Sequence, residues 1–148
     1  GEALTPKQSY AVLALGLERL TQYLDGASYR LMLLKREVGV VDHELYKYID
    51  GLRGVIAEQF AKLYEGFKKL RGETRKAIQY AEEIRSMENR ADDIYREATY
   101  AIYTKLSSRI LVLMLMKDLL DFMEDASDLL RSLGEELRYL ALHKALIS

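Results

Sequence analysis

Apolar residues recur at helical period along almost the whole chain, and residues that break helices stand at only a few places. That pattern calls for long helices and leaves little room for strands. Thr5-Pro6 reads as an N-cap followed by proline at the first helical position, where its missing N–H costs nothing. Val12, Leu15, Leu20, Leu24, Ala27, Leu31 and Leu34 then form a stripe. It ends where Lys35-Arg36 precede Gly39, a C-cap with cations beside the last carbonyls. Asp42 is placed to cap a second helix with Leu45, Ile49, Leu52, Ile56, Phe60, Leu63 and Phe67 on one face, closed by Lys68, Lys69, Arg71 and Gly72. A third helix starts near Glu73-Thr74 and carries Ala77, Ala81, Ile84, Glu88, Ala91, Tyr95, Ala98 and Ile102. After a turn at Ser107-Ser108 a fourth runs from about Arg109 to Ala145, with Leu113, Met116, Leu120, Met123, Ser127, Leu130, Leu137 and Leu140 along one side. Gly134 inside it costs about 1 kcal/mol against alanine and marks a bend. Helices of about 30 residues are roughly 45 Å long, and short connections between them imply antiparallel neighbours. The expected fold is all-α, a single domain over residues 1–148 built as a bundle of about four long antiparallel helices.

Composition narrows the function. The chain has 148 residues, 22 Lys and Arg against 23 Asp and Glu, and a net charge of -1, so it lacks the basic excess of a general nucleic-acid or membrane binder. It has no cysteine, which removes disulfides, thiolate metal sites and a thiol nucleophile. The N-terminus is polar, with no basic segment ahead of an apolar core, and the longest apolar run, Ile110 to Met116, is far short of the roughly 20 residues of a membrane span. A soluble cytoplasmic protein is expected. Gly1 has no methionine before it, so two readings stay open: a compact domain, or a piece of a longer chain lacking about two N-terminal helices.

The acids are the informative residues. Glu88 stands in the middle of the third helix's apolar stripe, and Asp92 lies one turn on, about 40° away. A carboxylate buried alone loses several kcal/mol of hydration, so it needs a basic partner, a hydrogen-bond donor, a proton or a metal ion. Arg85 and Arg90 are the basic partners nearest in sequence. On the fourth helix Asp118, Asp121, Asp125 and Asp128 fall within an arc of about 80° beside the apolar stripe. Like charges one turn apart repel by a few tenths of a kcal/mol per pair, a cost that a bound cation removes. Two antiparallel helices bearing Glu-x-x-x-Asp and Asp-x-x-x-Asp can converge on one cation. Oxygen donors alone suit Mg²⁺, Ca²⁺, Mn²⁺ or a ferric ion better than structural zinc. The plain alternative is a solvated acidic face.

The segment Ile-Arg-Ser-Met-Glu-Asn-Arg-Ala-Asp-Asp from Ile84 to Asp93, followed by Ile94, resembles the PhoU-like family, and so does Leu-Leu-Asp-Phe-Met-Glu-Asp-Ala from Leu119 to Ala126. The likeness extends over roughly Ala77 to Leu142 and is closest to the phosphate transport regulator branch; over residues 9 to 70 only the helical pattern agrees. The resemblance implies a PhoU-like helical domain and a non-enzymatic regulator of phosphate transport or phosphate signalling. It implies metal ligands at Glu88, Asp92, Asp121 and Asp125, with Asp118, Glu124 and Asp128 as neighbours. The metals it implies are iron, zinc or nickel, with magnesium and manganese added by the donor chemistry. The partner it implies is a phosphate transporter or signalling protein at the inner face of the membrane. Where a matching pair is expected on the first helix, this chain has Gln22 and Gly26, with Asp25 nearby.

The remaining features point elsewhere. Tyr23-Leu24-Asp25-Gly26-Ala27-Ser28 echoes Phe122-Met123-Glu124-Asp125-Ala126-Ser127, consistent with two related helical units. His43 and His143 lie near helix ends, out of register with any carboxylate, which argues against a di-iron enzyme. No phosphate loop or nucleophile–base set is legible. Lys68, Lys69, Arg71, Arg75 and Lys76 read as a solvated helix end, and Tyr46, Tyr48, Tyr95, Tyr100 and Tyr103 as packing residues. The run Ile110–Met116 is apolar all round, so a partner surface is expected: a second subunit, missing helices or a membrane protein, with a symmetric homodimer as the favoured reading. The competing reading is a structural helical interaction module with no metal site.

Overall fold

The computed structural model describes residues 5–37 and 42–147, without the side chain of Glu37. Four helices follow one another: α1 (Pro6–Glu37), α2 (His43–Lys69), α3 (Thr74–Lys105) and α4 (Ile110–Ile147), with no strand among the described residues. None of them is long and apolar enough to cross a membrane.

The starts are set as the sequence dictates. Thr5 and Gln8 form a reciprocal capping box: the Gln8 N–H donates to Thr5 Oγ1 at 3.3 Å and the Thr5 N–H donates to Gln8 Oε1 at 2.8 Å. Asp42 Oδ1 accepts from the Glu44 N–H at 3.1 Å and caps α2. The expected C-cap at Gly39 lies outside the described residues. At the other end of α2, Lys68 and Lys69 occupy the last turn as expected, but Gly72 is not in the left-handed region. The helix closes instead through Leu70, whose N–H donates to the Phe67 carbonyl at 3.2 Å.

The longest helix, α4, is the hub. It packs on α1, α2 and α3; α2 also packs on α3, while no close backbone approach joins α1 to α2 or α3 among the described residues. Gly26 of α1 lies under Phe122 of α4, so the two echoing segments run side by side in opposite directions. The α2–α3–α4 core holds Leu52, Ile84, Ile102, Met116, Leu120 and Leu130, all fully buried. The α3 stripe is buried as expected except for Tyr95, which is half-buried.

The α1 stripe needs correction. Leu20, Ala27 and Leu34 are buried as expected and are joined by Ser9, Leu13 and Gly16, whereas Val12, Leu15 and Leu24 are exposed and Leu31 is half-buried. With α4 as its one close neighbour, α1 buries only the narrow seam that a seven-residue repeat makes. Phe60 of the expected α2 stripe is exposed for the same reason, since α1 does not close over it. α4 runs as one continuous helix from Ile110 to Ile147 through Gly134. The glycine allows close packing: a Cβ there would stand 3.2 Å from Ile84 Cγ2, tight enough that the Ile84 side chain would have to give way. In the run Ile110–Met116 only Val112 and Met116 are buried, and Ile110, Leu111 and Met114 are exposed.

Candidate metal centre on the α3–α4 face

Because α3 and α4 are antiparallel neighbours, the centre of the Glu88 stripe meets the acidic edge of α4. Glu88 is 8% exposed and lies between the buried Ile84 and Ala91, which explains how an acid enters the core face. Glu88, Asp92 and Asp128 each bring a carboxylate oxygen into one group, with these atoms within 4.8 Å of one another. Glu124, Asp125 and Asp128 form a second such group, and Asp128 belongs to both. No ion pair among the described residues reaches any of these five side chains. Arg90, a basic partner suggested for Glu88, turns to Glu58 of α2 at 3.7 Å.

The electrostatics follow from this crowding. Burial, then the hydrogen bonds and charges of Asp128 and Asp92, push the Glu88 carboxyl up to about 7. Burial and the neighbouring Asp128 push Glu124 up to about 8. Burial also raises Asp125, partly offset by a hydrogen bond from Glu124. Protons therefore stand where a cation would relieve the same repulsion.

Four acids were expected at the centre, and the structure treats them differently. Glu88 and Asp92 come together with Asp128, and Asp125 joins the group shared with Glu124. Asp121 lies in neither group. Its Oδ1 accepts from the Tyr95 hydroxyl at 2.5 Å and from Lys117 Nζ at 2.6 Å, and Lys117 also donates to the Tyr95 hydroxyl at 2.9 Å. For Lys117, burial pulls the ammonium pKa down, but the bonds to Asp121 and Tyr95 outweigh it and leave the group strongly cationic. Asp118 is exposed and outside both groups. On α1, Gln22 and Asp25 are exposed, and a Cβ at Gly26 would stand 2.7 Å from the Phe122 ring, so a larger side chain in place of the glycine requires the ring to shift.

One residue that supports this face was not singled out from the sequence. Gln59 of α2 is fully buried. Its Nε2 donates to the carbonyls of Ile84 at 3.3 Å and Ser127 at 3.4 Å, while Ser127 Oγ donates to its Oε1 at 2.8 Å. Ile84 is one turn before Glu88, and Ser127 adjoins Asp128, so Gln59 ties together the two backbones that carry the acids. A polar residue inside the periodic face of α2 was the available signal.

Elsewhere, the basic helix end is largely neutralised: Lys69 and Lys76 meet Glu73, Lys68 meets Glu65 and Lys62 meets Glu83. His143 packs against Tyr139 at 6.2 Å, and neither histidine joins an acidic group. The donor set at the candidate centre is all carboxylate, which fits a hard cation such as Mg²⁺, Mn²⁺, Ca²⁺ or Fe³⁺. Comparison of the chain with protein-family models, curated proteins and solved structures returns no match.

Proposed function

We propose that this chain is a non-enzymatic metal-binding regulator, PhoU-like in kind, that acts on phosphate transport or phosphate signalling. The observation that carries the metal reading is the convergence of Glu88, Asp92, Glu124, Asp125 and Asp128 on one face, with no ion pair among the described residues to neutralise them. Glu88, Asp92 and Asp128 would hold one ion, and Glu124 and Asp125 would hold a second with Asp128 shared between them. The first ion would act by tying α3 to α4, since its ligands come together only when the two helices keep their register. The phosphate connection is supported by the two sequence segments that resemble the family, Ile84–Asp93 and Leu119–Ala126. The partner this reading implies is a transporter or signalling protein at the membrane.

Elemental analysis and thermal melting with Mg²⁺, Mn²⁺ and Fe³⁺ test the metal step. The wild-type chain is expected to bind a cation and to melt higher as its concentration rises, and the Glu88→Ala/Asp128→Ala double variant to do neither. Phosphate uptake in cells carrying that variant in place of the wild type tests the regulatory step. A chain that binds no cation under metal-replete conditions returns the acidic face to solvent and leaves a helical interaction module.

A further inference from the structure

The α1–α2 side of the bundle is open. The two helices do not approach each other closely, and between them lies a groove of about 610 Å³ with Leu17, Leu20 and Leu24 on one wall, Ile56 and Phe60 on the other, and Met123 of α4 at its floor. Leu17 and Leu24 are each 39% exposed and Phe60 46%, so the groove presents contiguous apolar surface to solvent. The seam is also longer than the groove. Tyr10, Leu17, Leu24 and Leu31 recur every seven residues, each three positions before one of the buried Leu13, Leu20, Ala27 and Leu34.

We infer that this groove is a twofold homodimer interface in which α1 of a second copy lies antiparallel to α1. Two features favour a second copy over an unrelated helix. The α1 wall is symmetric about its own midpoint: a twofold axis between Leu20 and Thr21 sets Leu17 opposite the partner's Leu24 and Leu24 opposite the partner's Leu17. The charges match in the same register. Arg53 is the one charged residue lining the groove, and its contact with Asp50 is a solvent-exposed 3.5 Å pair. Glu18, one position past Leu17 and exposed, makes no ion pair among the described residues. The partner's α1 would run parallel to α2, which brings the partner's Glu18 to Arg53 and Glu18 to the partner's Arg53. Arg19 lies on the other side of α1, beside Leu129 and Ser132, and does not oppose this pairing.

The absence of native cysteine makes the test clean. Light scattering is expected to give twice the 17.1 kDa chain mass, and Leu17→Glu, at an exposed position, to give a monomer with unchanged helical circular dichroism. Glu18→Arg and Arg53→Glu are each expected to weaken the dimer by about tenfold, and the two together to restore it, because every reversed charge then meets its reversed partner. Thr21→Cys, next to the axis, is expected to form a disulfide-linked dimer on mild oxidation, while Ser86→Cys on exposed α3 is not. A monomer at high-micromolar concentration overturns the inference. So does a dimer that survives Leu17→Glu, or one that the Thr21→Cys variant fails to cross-link, since either places the contact on another face.

Discussion

The Tyr95 hydroxyl lies 2.5 Å from the Asp121 carboxylate, and Lys117 donates to the same oxygen. This contact decides which acids of α4 remain for a cation. An aspartate already holding a phenol and an ammonium has little to gain from a metal, whereas Asp128 belongs to both acidic groups and makes no ion pair among the described residues. Asp121→Asn is therefore expected to retain most of the thermal shift given by Mn²⁺, and Asp128→Asn to lose it. For scale, saturation at about a hundredfold over Kd is worth about 2.7 kcal/mol. Equal losses in the two variants would place Asp121 among the ligands after all.

The raised glutamates give the metal-free protein a pH dependence with a definite sign. Glu88 and Glu124 titrate from a usual value of 4.5 in the unfolded chain but near 7 and 8 when folded. Between those limits the folded state holds protons that the unfolded state has released, so stability falls as pH rises. The melting temperature without divalent cations is expected to drop by several degrees from pH 5 to pH 8.5. Glu88→Gln is expected to flatten part of that slope, and added Mn²⁺ to reverse it at the alkaline end. A flat profile in calorimetry would contradict the crowding of these acids.

Gln59 is expected to matter through its pairing with Ser127. Gln59→Leu leaves the buried Ser127 hydroxyl without its acceptor, at a cost of about 1–3 kcal/mol in urea unfolding. Adding Ser127→Ala removes the stranded group and is expected to recover much of the loss. The single variant losing no stability would mean that the Gln59–Ser127 bond contributes little.

Gly26 marks the place where α1 lacks the acid expected from the resemblance. Gly26→Asp would drive a side chain into the Phe122 ring and is expected to destabilise the fold by about 1–3 kcal/mol without adding cation stoichiometry. A stable variant with an extra bound ion would show that the ring can move aside.

Helix number, order and boundaries were legible in the sequence because their signals are local: Thr5, Pro6, Asp42 and the apolar stripe of α3 each act within a turn or two. The pairing of Glu88 with Asp92 was legible for the same reason. The α1 face was legible only in part: Leu20, Ala27 and Leu34 are buried as read, but whether Leu13 or Leu15 is buried depends on how many neighbours α1 has, and periodicity does not carry that number. Asp121 could be grouped with Asp125 by angle, but its capture by Tyr95 comes from another helix. The Lys117–Asp121 half of that contact, one turn apart on α4, was visible in the sequence.

With a single close neighbour, α1 has only one seam of leucines and alanine holding it, whereas α2 and α3 are each gripped from two sides. In the monomeric Leu17→Glu variant its amides should therefore exchange with deuterium through opening events cheaper than unfolding of the three-helix remainder, and that remainder carries all five clustered acids. The chain thus separates a detachable arm from a firm acidic platform.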